Sequence, residues 1–236
     1  MLVLVLVLWA AACGGGRGRS GGPTTTTPVA LGPVTTSAGD VGQPPPASPD
    51  QARSQAVVLT AGDLGPDFQS TAHDTSSGTK AFSDCGAGNS VLVDATYPTE
   101  ADSDDYERIA PGQTVDVTSS ARVAPDVGSA QQAAAIVATP RFPGCLADSL
   151  EATLASAGTV ESVRPSTLRV PVRLDDAVGV RVTVTVKAGQ VTQDISVDLV
   201  FLRKDRALAY VAVTTISGAP DDGLRDRLVQ AMAGRM

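Results

Sequence analysis

The sequence predicts an α+β domain: a twisted antiparallel β-meander with helices packed on one face, preceded by a disordered stalk. Three observations predict it. From Val160 onward, apolar residues recur at every second position in consecutive runs joined by short polar turns, the pattern of antiparallel strands with one solvated face. Upstream, segments around 129–138 and 146–157 carry apolar residues at helical spacing, and Pro140 and Gly158 close them. Residues 14–52, by contrast, are rich in Gly, Pro and Thr and bury too little apolar surface to offset the entropy of ordering them.

Taken in order, the chain opens with an apolar run, Leu2 to Leu8, then Trp9-Ala10-Ala11-Ala12-Cys13 and three glycines. A signal peptidase cleft admits only small residues beside the scissile bond. A cysteine directly after them offers a thiol for thioether attachment of diacylglycerol. The segment resembles a bacterial lipobox, with Ala10 where Leu is usual. Residues 1–12 are therefore expected to be a signal peptide and 13–52 a lipidated Cys13 plus stalk, its acyl chains of the palmitate class. No cationic residue precedes Leu2, so the true start is expected upstream of Met1. The apolar run is well short of the ~18 residues of a membrane-spanning helix. Pro23, Pro28 and Pro44 to Pro46 stiffen the stalk into polyproline II. Thr24 to Thr27, between prolines, are candidates for O-glycosylation.

The folded domain is placed at 53–236. Thr60 and Asp63 stand at capping-box spacing and open a helical turn that Gly65-Pro66 ends. Residues 67–71 are extended, His73 to Gly88 is turn-rich, and Val91 to Tyr97 reads as a strand. Glu100 to Glu107 reads as an acidic surface loop. Thr114 to Val123 alternates, with Val115, Val117, Ser119 and Ala121 on one side. Ser129-Ala130-Gln131-Gln132 is a capping box that opens a helix, and Cys145 precedes a second helix whose Leu146, Leu150 and Leu154 share a face. Val178 to Val186, Ile195 to Phe201 and Leu208 to Ile216 are strands around turns at Lys187–Gln190 and Lys204–Arg206. Pro220-Asp221-Asp222 opens a final helix, and its stripe of Leu224, Leu228 and Met232 covers the sheet.

A net charge of −7 leaves no basic face to neutralise phosphates, so nucleic acid is not an expected partner. Aromatic residues make up 3% of the chain, and the single Trp lies in the signal, so stacking platforms for bases or sugars are scarce. With Cys13 lipidated, Cys85 and Cys145 remain as a pair, which in an exported chain reads as a disulfide. Closing a loop of about 60 residues stabilises a fold by roughly 4 kcal/mol on the chain-entropy estimate.

Catalytic and metal-binding patterns are weak. His73 is the only imidazole, and a triad with Asp74 and a serine lacks any Gly-x-Ser-x-Gly elbow, so His73 is expected on the solvated surface. Asp102, Asp104, Asp105 and Glu107 are oxygen ligands of the kind Ca²⁺ takes, without the glycine and terminal Glu of an EF-hand loop. Asp175 and Asp176 are adjacent, and neighbours on a strand point to opposite faces, so a turn role is expected rather than a shared site. Arg169, Arg173 and Arg181 are candidate ligand-binding residues for an anion in a cleft, or plain outward strand positions. Gly86 and Gly88 make a poor phosphate cradle, because no helix start is expected after them. No cofactor and no metal are expected.

Leu59 to Leu64, Phe142 to Cys145, Asp175 to Val180, the valine-rich meander and the closing helix together resemble the sensor-domain-like lipoproteins of actinobacteria, which are similar to the extracellular sensor domain of a mycobacterial serine/threonine kinase. The resemblance implies helices on one face of a twisted antiparallel sheet, and an open cleft for a ligand. Two disulfides are common in that family, whereas this chain can form one. It offers no catalytic motif. The expected protein is a non-enzymatic, sensor-like lipoprotein on the extracytoplasmic face of the cell membrane, engaging an unidentified ligand or envelope protein. The alternative is a carrier of lipids or other apolar molecules within the envelope.

Overall fold

The structure, a computed structural model, describes residues 48–73, 85–86, 88–94 and 97–236, without the Val93 side chain. Cys13, the expected signal peptide, the expected stalk up to residue 47, Thr24 to Thr27 and Asp74 lie outside the described residues.

Helix α1 (Pro49–Val57) begins inside the span expected to be stalk. Ser48 caps it, its Oγ accepting the Gln51 N–H at 3.1 Å, with Pro49 and Asp50 in the first turn. The same proline that marks a stalk by composition marks a helix start by position. Helix α2 (Ala61–Leu64) follows with the Thr60/Asp63 capping box, and β1 (Gln69–Thr71) is extended as expected. The strand expected over Val91 to Tyr97 is replaced by a one-turn helix, α3 (Ser90–Val93). The Asn89 side chain accepts the Val91 N–H at 3.0 Å, and that cap outweighs the strand preference of the valines.

The expected acidic loop is two strands, β2 (Ala101–Asp102) and β3 (Asp105–Ala110). Ala101 and Tyr106 point into the core, and Asp102, Asp105 and Glu107 alternate to the other side. Strand β4 (Gln113–Val123) buries Val115, Val117, Ser119 and Ala121 as predicted. Helix α4 (Val127–Val137) is capped by Asp126, which accepts the Ser129 N–H at 2.8 Å, so the expected Ser129 cap lies one turn inside the helix. Helix α5 (Phe142–Leu154) contains Cys145 in its first turn, where the sequence placed it just before the helix. Strands β5 (Thr159–Leu168), β6 (Asp176–Ala188), β7 (Val191–Lys204) and β8 (Ala207–Ile216) form the meander. Helix α6 (Asp222–Arg235) is capped by Asp221, so Pro220 precedes the cap.

All eight strands join one antiparallel sheet in the order β1-β3-β4-β8-β7-β6-β5, and β2 pairs with β4 beside β3. The fold is α+β, as predicted. The helices, expected on one face, divide between two. The chain leaves β4 in mid-sheet and enters β5 at the far edge, so α4 and α5 cross one face to get there. On that face Val180, Val182, Val184, Leu199 and Phe201 pack against Ala133, Val137, Leu146 and Leu154. On the opposite face Val115, Val117, Val200, Leu202, Val211 and Val213 pack against Val57, Leu59, Leu224, Leu228 and Met232 of the α1–α2 region and α6. β7 is therefore buried on both sides, Leu199 and Phe201 toward one core and Val200 and Leu202 toward the other.

The second face also holds a buried ion-pair cluster. Asp198 on β7, 3% exposed, accepts from Arg181 Nε of β6 at 2.5 Å and from Arg225 Nη1 of α6 at 3.1 Å. Asp222 bridges the same two arginines at 2.6 and 2.8 Å, and Asp226 takes the rest of Arg225. A buried carboxylate with two guanidinium partners fixes where α6 sits, because sliding the helix would strand a charge.

The Cys85–Cys145 disulfide forms as expected, with a Cα–Cα distance of 5.7 Å, and ties the segment before α3 to α5. Where β5 ends, Val170, Val172 and Leu174 pack against the α6-side core, and the crossing is tight over Gly179. A Cβ built there meets Leu168 Cβ at 2.8 Å and the Leu168 carbonyl oxygen at 3.2 Å. Gly144, on exposed helix surface, has nothing within 4 Å of such a Cβ. Gly179→Ala should lower unfolding free energy by roughly 2 kcal/mol, and Gly144→Ala should leave it unchanged or raise it by up to about 1 kcal/mol. Urea denaturation of the two variants checks the pair.

Candidate functional site

Helices α4 and α5 lie mainly over β5, β6 and β7. The part of the same sheet face built on β3, β4 and β8 carries half-buried polar side chains instead, Asp116, Thr118 and Thr214, beside the small Ala212. At the end of this strip next to α3 lies a buried polar cluster. Arg122, 8% exposed, rises from β4 and donates through Nε to Glu100 Oε1 at 3.0 Å, and its Nη2 contacts the same oxygen. Its Nη1 donates to the Val91 carbonyl of α3 at 2.7 Å, and the guanidinium lies over the Tyr97 ring, 5.7 Å from its centroid. Ser120 Oγ adds a hydrogen bond to Glu100 at 3.3 Å.

Beside this cluster is an apolar hollow bounded by Val91, Leu92, Phe201, Leu208 and Tyr210. Its volume of about 20 Å³ is room for one water, far below the several hundred Å³ of a typical small-molecule pocket. Burial pushes the Tyr210 hydroxyl up to about 12, with the Asp102 charge adding to it. Burial also raises the Glu100 carboxyl above its ordinary value, and Arg122 offsets this only in part. Apolar lining, convergent polar groups and displaced ionisation are features the hollow shares with binding sites, at a volume that admits only a water.

A second group lies further along the strip. His73 is not a free surface residue: its Nδ1 is 2.6 Å from Asp105 Oδ1, and both are half-buried. Asp116 is pushed up to about 6, by burial first and then by the charges of Glu107 and Asp105. These carboxylates make no metal centre: among the described residues no cluster of three or more His, Cys, Asp or Glu is arranged to hold an ion.

Asp175 and Asp176, expected to diverge, converge on one partner. Arg203 contacts Asp176 through Nε and donates from Nη1 to Asp175 at 3.2 Å, and Asp175 also accepts the Asp205 N–H. Asp175 lies just before β6, outside the strict alternation of the strand. The three candidate arginines share no partner among the described residues. Arg181 is committed to Asp198 and Asp222, while Arg169 and Arg173 are exposed on the β5–β6 connection. A helix does start just after Gly88, but Asn89 already takes an N–H of its single turn. Sequence reasoning missed Arg122, Glu100 and Tyr210. One signal was available: Arg122 is the only cation in the alternating run of β4, at a position shielded by its apolar neighbours.

No protein-family model matches the chain, and no curated protein does. Among solved structures, the crystal structure of LpqN, involved in cell envelope biogenesis of Mycobacterium tuberculosis, is similar over 74% of this chain and 83% of that one, at 10% identity and a TM-score of 0.31. A likeness of that size carries no argument about function. No helix among the described residues is long and apolar enough to cross a membrane.

The Asp116 displacement makes a signed prediction. Its folded-state value of about 6 lies above the ordinary 3.8, so the folded protein holds this proton more tightly than the unfolded chain does. Its contribution to stability is greatest below pH ~4 and is lost as pH rises through about 6. Asp116→Asn should flatten that slope and stabilise the protein at pH 7.5 by about 2 kcal/mol, read as melting temperature against pH.

Proposed function

We propose that this chain is an exported, lipid-anchored, non-enzymatic binding module of the cell envelope, with a sensor-like rather than catalytic domain. The observation that carries it is the hollow beside Arg122, where buried polar groups and apolar side chains converge on an otherwise helix-free strip of the sheet. Its polar groups neutralise and hydrogen-bond one another, an arrangement suited to holding a ligand rather than attacking one. The anchor reading is supported by Ala10-Ala11-Ala12-Cys13 and by the low-complexity residues that separate it from Ser48. The Cys85–Cys145 bridge agrees with an oxidising compartment.

Detergent phase separation of the protein from its native membrane tests both halves. Wild type should enter the detergent phase and Cys13→Ser the aqueous phase. Native mass spectrometry of the wild-type fraction should show a small-molecule adduct beyond the acyl mass. Equal partitioning of the two forms would contradict the anchor, and bare acylated protein would contradict the binding reading.

A further inference from the structure

Helix α3 is a single turn that packs against α4 and the sheet, and two further contacts among the described residues tie it down. Upstream, Cys85 is bridged to Cys145 on α5. In the turn itself, the Val91 carbonyl accepts from Arg122 Nη1 at 2.7 Å. In the same turn the side chains of Val91 and Leu92, 5% and 7% exposed, line the hollow floored by Phe201, Leu208 and Tyr210. Arg122 is charge-balanced along its other edge by Glu100, so the edge facing α3 meets a neutral acceptor. In chemical terms α3 occupies the hollow as a ligand would: aliphatic groups in the apolar space and one uncharged carbonyl oxygen on the guanidinium.

We propose that α3 is a plug seated in a latent pocket, and that the pocket takes a small amphiphile of the same chemistry, an apolar body ending in a neutral carbonyl such as an amide or ester. The proposal rests on the binding-module reading and deepens it. The incoming carbonyl replaces that of Val91 on Arg122 Nη1, and the apolar body replaces the side chains of Val91 and Leu92. A carboxylate end is selected against, because Glu100 already lies on the guanidinium and Asp102 acts on the neighbouring Tyr210. The disulfide decides how readily the plug leaves, since it fixes the chain just before α3 to the helix that roofs the same face.

Titration of full-length protein with hexanamide and with hexanoate, followed by calorimetry, tests this in three forms: wild type, C85S/C145S and Leu92→Ala. The closed state taxes affinity by the fraction of open molecules, so C85S/C145S should bind hexanamide about tenfold or more tighter than wild type. Leu92→Ala, with the bridge intact, should also gain affinity because the hollow is partly emptied, and hexanoate should bind more weakly throughout. A gain in Leu92→Ala but not in C85S/C145S would overturn the plug and leave the binding reading standing. No gain in either would likewise overturn the plug, while the binding reading is decided separately by the native mass spectrum. Preference for hexanoate would overturn the ligand class. Loss of fold in C85S/C145S by circular dichroism would show that the bridge holds the domain rather than the plug, and would overturn the proposal.

Discussion

One buried guanidinium joins more of this domain than any other polar group on its face of the sheet. Arg122 belongs to β4, ties down the 97–102 segment through Glu100 and Tyr97, and holds α3 through the Val91 carbonyl. The linkage extends one step further, because the Glu100 carbonyl accepts from Gln51 Nε2 of α1 at 2.8 Å. The first helix after the low-complexity region, a central strand and the one-turn helix beside the hollow thus share a single charged anchor. A charge in that position is costly to bury, and the Glu100 carboxylate, the Val91 carbonyl and the Tyr97 ring together offset that cost.

The sheet supplies the rigid frame for this anchor. β4, β8 and β7 occupy its middle, and the α6 face is sealed by aliphatic packing and by the Asp198 cluster. With that side closed, the strip on β3, β4 and β8 is the place where polar groups and a hollow share one surface. The disulfide does for the α5 side what Asp198 does for α6: it makes one docking position better than its neighbours. Placing the site on strands rather than loops keeps Ser120, Arg122 and Tyr210 in fixed register, since Ser120 pairs directly with Tyr210 across β4 and β8.

The meander was legible because alternation reports burial directly. Val180 to Val186 and Leu208 to Ile216 occupy the strands that their period of two predicts. β7 also carried a readable exception: Leu199, Val200, Phe201 and Leu202 are apolar without a break, as a strand covered on both sides requires. That run was the sign that helices lie on two faces rather than one. β2 and β3 were hidden because their buried positions are Ala101 and Tyr106 while the conspicuous residues are acids. α1 was hidden because Pro49, at its start, continues a proline-rich stretch in the sequence. The ion pairs could not be read from spacing, because Arg225 meets Asp198 and Arg206 meets Asp50 only after the chain has folded back on itself. Cys85 and Cys145 were readable because, once export is expected and Cys13 is set aside, two thiols have few other uses.

The most direct test of this account is a double-mutant cycle on Arg122 and Glu100, with Arg122→Met, Glu100→Gln and the double variant unfolded in urea. If Arg122 and Glu100 form the buried anchor described, each single change should cost roughly 3 kcal/mol and the double change clearly less than the sum, because neither charge is then left alone. Single changes that cost under about 1 kcal/mol and simply add would mean the pair is a solvated surface contact, and the anchor on which the site depends would not exist.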